Sequence, residues 1–233
     1  MGAFSRSLRE AAAGGRIPVV PDIKCVSPKE GDLLRGRDPV SMARLLVSAG
    51  APALSVVTEE RRFGGSLRLL QEIAAAVSVP VLRKDFVTAA SDLAQTRESG
   101  ATAVLLICAC LPRPALRALY EEALRCGLEP LAEAHTREEL EFAAALGAGL
   151  VGINNREIRR LEKDDGTVLR TQRLMPFAPR DALIVSESGI ETPRQARQAL
   201  RAGAGAVLVG TAIWKADDTA RFYKELCAGE DGV

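Results

Sequence analysis

Pro80-Val81-Leu82-Arg83-Lys84 is a short apolar run that stops at a cation, and the recurrence of this break decides how the chain folds. Val19-Val20-Pro21-Asp22-Ile23 stops in the same way at Lys24, Leu128 to Ala132 at Glu133, and Leu150 to Ile153 at Asn154. Ala182 to Ser186 gives way to Glu187-Ser188-Gly189, and Ala206 to Val209 to Gly210-Thr211. The last residue of a buried parallel strand opens onto the mouth of its sheet, where ligands bind. The repeated break therefore predicts a ring of polar groups around a single pocket.

Apolar, β-favouring runs begin near residues 18, 53, 79, 102, 128, 150, 182 and 206. They are apolar throughout instead of alternating, as strands are when both faces are covered. Between them, Pro39 to Ala49, Ser66 to Val77, Pro114 to Leu124, Thr136 to Leu146 and Thr192 to Leu200 place apolar residues at helical spacing. Thr136-Arg-Glu-Glu139 has the form of a capping box, and Thr192-Pro193 puts proline in a first turn. Gly50, Gly100, Gly127, Gly147 and Gly203 fall just past helical runs, where a left-handed closing residue is wanted. Eight strand–helix units in 233 residues predict an α/β chain closed into a (β/α)8 TIM barrel, a single domain over residues 1–233. An open doubly wound sheet uses the same units, but the first strand-to-helix turn lacks its Gly-x-Gly-x-x-Gly fingerprint.

The bulk composition narrows the function. With 31 basic and 30 acidic side chains and a net charge of +1, the chain lacks the cationic excess of a nucleic-acid or membrane surface. Aromatics make up 4%, too few for a base-stacking platform. No apolar stretch is long enough to span a bilayer, and Met1 to Gly15 lacks the apolar core of an export signal. The five cysteines fall at no metal or redox spacing, and their odd number fits a reducing compartment, so a cytoplasmic protein is expected.

Chemistry is concentrated at the strand ends. A lysine that ends a buried strand is costly unless it pairs with a carboxylate or acts on a substrate. Lys24 and Lys84 facing one cavity with Glu133 and Glu187 would form a proton-transfer set. Gly189 and Gly210-Thr211 end the seventh and eighth strands, where barrels bind phosphate through backbone N–H groups. His135, the one histidine, has no serine or cysteine elbow nearby and reads as a hydrogen-bonded structural residue. Asn154-Asn155-Arg156 can bind sugar hydroxyls or a carboxylate, or cap a loop. Two long loops, Ser27 to Asp38 and Arg156 to Thr167, are placed to act as lids or clamps, and the second reads equally well as a solvated connection.

Taken together, these motifs resemble indole-3-glycerol phosphate synthase. The residues that carry the resemblance are Asp22-Ile-Lys24 with Ser27-Pro28, Phe63-Gly64-Gly65-Ser66, Leu82-Arg-Lys84-Asp85-Phe86 and Glu133-Ala-His135. Gly152-Ile-Asn154-Asn155-Arg156, Ser186-Glu187-Ser188-Gly189-Ile190 and Val209-Gly210 continue it in order, from about Phe4 to Leu226. The resemblance implies a tryptophan-pathway lyase that converts 1-(2-carboxyphenylamino)-1-deoxyribulose 5-phosphate to indole-3-glycerol phosphate, with no metal or organic cofactor. It implies Lys84 as the acid for ring closure, with Lys24, Glu133 and Asp22 in proton transfer. Ser27, Asn154, Arg156, Glu187 and Phe86 would bind the substrate, and Ser188, Gly189, Gly210 and Thr211 its phosphate.

The chain also departs from the family pattern. Asp22 stands where the family usually carries Glu, a reach shorter by about 1.5 Å. Cys25-Val26 replaces a common basic residue, Lys29 a common serine, and Ser91-Asp92 the usual aromatic–Gln pair. Only Met1 to Ile17 precede the first strand, a shortened N-terminal extension that would leave the pocket more open or completed by another chain. These departures motivate two alternatives: a paralogue acting on a related aryl-amino sugar phosphate, and a non-catalytic phosphate-ligand binding homologue. A homodimer, or association with other tryptophan-pathway enzymes, is left open by the sequence.

Overall fold

Strands buried on both faces need cover on each side and no free edge, and closure into a ring meets both needs. The computed structural model describes residues 1–156 and 167–229. Its barrel strands are β1 (Val19–Ile23), β2 (Leu54–Val57), β3 (Val81–Lys84), β4 (Ala103–Ile107), β5 (Glu129–Ala134), β6 (Leu150–Asn154), β7 (Leu183–Glu187) and β8 (Ala206–Val209). Each pairs in parallel with its neighbours in sequence, and β8 closes on β1 through Val19↔Val207 and Pro21↔Val209. The expected (β/α)8 barrel is the observed fold.

The helices are α1 (Ala3–Ala13), α2 (Pro39–Ser48), α3 (Glu60–Phe63), α4 (Leu67–Ala76), α5 (Ala90–Glu98) and α6 (Arg113–Arg125). They continue with α7 (Arg137–Ala145), α8 (Leu169–Leu174), α9 (Pro193–Arg201), α10 (Thr211–Lys215) and α11 (Thr219–Cys227). Amphipathic spacing located α2, α4, α6, α7 and α9. The Thr192 cap forms the full reciprocal box with Gln195: each backbone N–H meets the other's side chain, at 3.3 and 3.0 Å. At α7 the box is displaced. Thr136 accepts from Glu139 N–H at 3.2 Å, but Glu139 Oε2 reaches past the cap to the His135 N–H at 2.6 Å.

Alternation along the strands separates two cores. Val20, Leu82, Leu105, Leu131, Leu150, Val185 and Leu208 point inward and fill the barrel. Residues at the alternate positions, such as Ile23, Val56, Val104 and Val151, pack under the helices. Burial of these aliphatic side chains contributes about 1.5–3 kcal/mol each before entropy is counted.

The N-terminal segment closes the floor of the barrel. Phe4 and Leu8 of α1 join the inner cluster, and Glu129, the first residue of β5, accepts the Gly2 and Ser5 N–H groups at 3.0 Å each, with the Ser5 hydroxyl as a third donor. The segment thus packs at the floor, opposite the mouth. At the mouth, the loop after β1 folds into a small antiparallel hairpin, Val26–Ser27 against Gly31–Asp32. Arg37 pins its far side, donating to Leu33 O at 2.8 Å and Leu34 O at 2.9 Å while its guanidinium stacks 5.3 Å over the Trp214 ring. The second long loop lies outside the described residues except for its ends. Among the described residues, no helix is long and apolar enough to cross a membrane.

Candidate active site

Parallel register sets the height of each side chain at the mouth. Lys84 pairs with Val57, Glu133 with Ile107, and Glu187 with Asn154, so these residues form one tier. Lys84 Nζ lies 3.0 Å from Glu187 Oε2 and 3.5 Å from Glu133 Oε2. Asn154 Nδ2 donates to the same Glu133 oxygen at 3.1 Å, and its Oδ1 accepts the Arg156 N–H at 3.0 Å. Asp22 Oδ1 accepts from Ser55 Oγ at 2.7 Å, and Lys24 Nζ donates to Thr211 Oγ1 at 3.1 Å.

Two glycines make room for these charges. A Cβ at Gly152 would stand 2.0 Å from Glu187 Oε1, so only glycine admits that carboxylate to the interior. A Cβ at Gly210 would crowd Asp22 at 3.3 Å. The carboxylates outnumber the ammonium they share. Burial alone would lower the Lys84 pKa, but Glu187, Glu133 and Asp22 outweigh it and hold the ammonium above the ordinary lysine value. Burial raises Glu187, and the neighbouring Glu133 and Asp22 add to this against the pull of Lys84. Lys84 thus stays charged, and Glu187 is the carboxylate that tends to carry the surplus proton.

The cleft above this tier has two chemically different ends. One part has an apolar wall of Val57, Phe63, Phe86, Leu105 and Ile107 facing Lys84, Glu133 and Asn154. A second part shares Asp22, Lys24, Lys84, Arg156 and Ser188 with it and continues along Gly189, Gly210 and Thr211. Ser188 and Gly189 both adopt positive φ, 64° and 69°, turning the backbone sharply at this end. Asn155 clamps that turn by donating to Ser186 Oγ at 3.0 Å, Glu187 O at 3.0 Å and Ser188 O at 3.1 Å.

The site residues expected from sequence are distributed as follows. Asp22, Lys24, Lys84, Phe86, Glu133, Asn154, Arg156 and Ser188 line the cleft, joined by Gly189, Gly210 and Thr211 at its second part. Glu187 is different: it is 0% exposed and sealed beneath Lys84, so it faces the lysine and not the open cleft. Ser27 is also buried, and its hydroxyl accepts from the N–H groups of Lys29 and Glu30 at 3.3 and 3.4 Å, capping its own turn. His135 was expected to be hydrogen-bonded, yet neither ring nitrogen has a hydrogen-bond partner among the described residues. Sequence reasoning missed Val57, Leu105, Ile107 and Glu59 as lining residues. β2 and β4 end in apolar side chains, so a search for polar breaks passes over them.

A closed (β/α)8 barrel with a lysine–carboxylate cluster at the carboxyl ends of its strands defines the class: a barrel enzyme equipped for acid–base chemistry. Residues 2–226 match the family described as indole-3-glycerol phosphate synthase. A protein of that name from Pyrococcus furiosus is 42% identical over 227 residues, 97% of each chain. Proteins of the same name from Thermococcus kodakarensis and a Nocardioides species are 40% and 46% identical; the first alignment covers 96% of each chain, the second 86% of this chain and 76% of its relative. The chain belongs to the indole-3-glycerol phosphate synthase family.

Proposed function

We infer that this chain catalyses the ring closure of 1-(2-carboxyphenylamino)-1-deoxyribulose 5-phosphate to indole-3-glycerol phosphate, releasing carbon dioxide and water, as a step of tryptophan biosynthesis. Family membership and the names of its relatives support the activity. The observation that carries the reading is the position of Lys84, a charged ammonium between an apolar wall and a glycine-rich turn. That arrangement matches a substrate with an aryl ring at one end, a phosphate at the other and a ketone between.

In this reading the aryl ring rests against Phe86, Phe63 and Ile107, and the phosphate meets the backbone N–H groups of Ser188, Gly189 and Gly210 with the Thr211 hydroxyl. Arg156, which lines both parts of the cleft, balances the anionic substrate. Lys24 pairs with the substrate carboxylate, and Asn154 holds a ribulose hydroxyl. Holding ring and ketone in a near-attack arrangement supplies much of the acceleration.

Bond formation between the ring carbon and the ketone carbon leaves negative charge on the ketone oxygen. Lys84 donates its proton there. An alkoxide is basic enough to take a proton even from an ammonium whose pKa is held high. Carbon dioxide then leaves, and the C–C electron pair returns through the ring to the nitrogen. The new hydroxyl departs as water with a proton from Lys24, and Glu133 takes the remaining proton to complete the indole. Asp22 and Glu187 help to hold the Lys84 ammonium charged. The compartment that the odd cysteine count fits is the cytoplasm.

Purified protein given the substrate should develop the fluorescence of indole-3-glycerol phosphate. Folded protein that binds the substrate and forms no product would reject this function.

A further inference from the structure

His135 is the one histidine of the chain, and the reaction outlined above does not use it. Its side chain is 9% exposed, with Nε2 3.6 Å from Glu133 Oε1 and Nδ1 3.5 Å from Glu139 Oε2. A neutral imidazole has one donor and one lone pair, so it would turn that lone pair toward a carboxylate oxygen. An imidazolium turns an N–H and its charge toward each carboxylate, an ion-pair approach at 3.6 and 3.5 Å without a hydrogen bond on either side. The geometry fits the charged ring.

The surrounding charges agree. Glu133 faces the ring from β5 and Glu139 from α7, while Arg170 of α8 opposes them. Cys108 and Cys110, which follow β4, lie near the same carboxylates, and burial together with those charges raises both thiols, Cys108 to about 12, so they stay neutral. Burial pulls the His135 pKa down, but Glu139 and Glu133 outweigh it and the net direction is up. Glu139 is itself fixed, since its Oε2 accepts the His135 N–H at 2.6 Å, the displaced cap of α7. The two oxygens of Glu133 are thereby divided. Oε2 serves Lys84 and Asn154, and Oε1 faces the imidazole.

We propose that His135 is the positioning residue of Glu133: an imidazolium held between Glu133 and Glu139 that orients one carboxylate oxygen and leaves the other to Lys84 and Asn154. The proposal rests on Glu133 acting in proton transfer, as inferred above. Removing a cation from beside a carboxylate makes that carboxylate easier to protonate.

Because the chain has a single histidine, its ring can be titrated by NMR in the wild-type protein without assignment ambiguity. The ring should titrate above the ordinary value of 6.5, and Glu139→Gln should lower that midpoint. His135→Gln should move the acid limb of the kcat–pH profile upward by about one pH unit or more while KM stays within roughly twofold. A ring that titrates at or below 6.5, or an active His135→Gln enzyme with an unmoved acid limb, overturns the proposal. If His135→Gln does not fold, the wild-type and Glu139→Gln titrations decide. If the wild-type protein makes no indole-3-glycerol phosphate, the function assigned above fails separately, and the same titrations still decide whether the clamp exists.

Discussion

Glu129 and Glu133 stand on the same strand, face the same interior, and do opposite work. Glu129, at the floor, spends both oxygens on N–H and hydroxyl donors of α1 and is fully committed to holding a helix in place. Glu133, at the mouth, faces the Lys84 ammonium and the Asn154 amide, both of which line the open cleft, while His135 holds its other oxygen from behind. Inward-facing position therefore does not define the role of a carboxylate. What distinguishes the two is whether the groups around it belong to the fold or can be turned to a substrate.

The contrast can be broken at either end. At the mouth, Lys84→Ala should lower kcat by about 10²–10⁴-fold, the usual worth of a general acid, with substrate affinity within about tenfold. Steady-state kinetics with the natural substrate would show it, and substantial surviving turnover would remove Lys84 from the acid role. At the floor, Phe4→Ala empties a fully buried site in the inner cluster and should cost about 3–5 kcal/mol of stability. The turnover of the remaining folded molecules should be unchanged; an equal loss of kcat would mean that floor and mouth are coupled.

A pH experiment sharpens the same comparison. Glu187 has its pKa raised above the ordinary 4.5 by burial, so the folded state keeps a proton that the unfolded chain has released. Its contribution to stability is therefore full below 4.5 and is lost as pH rises through the folded value. Glu187→Gln should flatten the decline of denaturant-measured stability across that window, whereas Glu129→Gln at the floor should leave it in place. The smallest effect belongs to the turn. Ser188 holds a left-handed φ of 64° at a cost of about 1–2 kcal/mol, and glycine there trades that strain for about 0.5–1 kcal/mol of chain entropy. Ser188→Gly should leave stability within about 1 kcal/mol of the wild type and KM within about twofold, since the backbone N–H assigned to the phosphate is kept; calorimetry beside kinetics would show both.

How much of this could be read from the chain depended on the kind of contact involved. Lys84 and Glu133 were legible because a charged residue closing an apolar run has few structural explanations. The apolar period of α5 was not, although Gly100 marks its end, because only Leu93 and Thr96 of it are buried and its docking is largely polar. Arg83, facing away from the barrel interior, donates to Asp92 O at 2.8 Å and to Thr96 Oγ1 at 2.9 Å, a tie that leaves no apolar period. Glu187 was correctly placed at the end of β7, but its concealment beneath Lys84 depends on the missing side chain of Gly152 on the neighbouring strand. The clamp on His135 was equally hidden, since it required Glu139 to reach one residue past the expected cap.

Trp214, the only tryptophan, donates its indole N–H to the Asp22 carbonyl at 2.8 Å while Arg37 covers its ring. The molecule thus carries a single indole fluorophore wired to the strand that presents Lys24. Binding of a non-emitting anion such as inorganic phosphate could be followed from that emission alone, giving an optical readout of occupancy without any label.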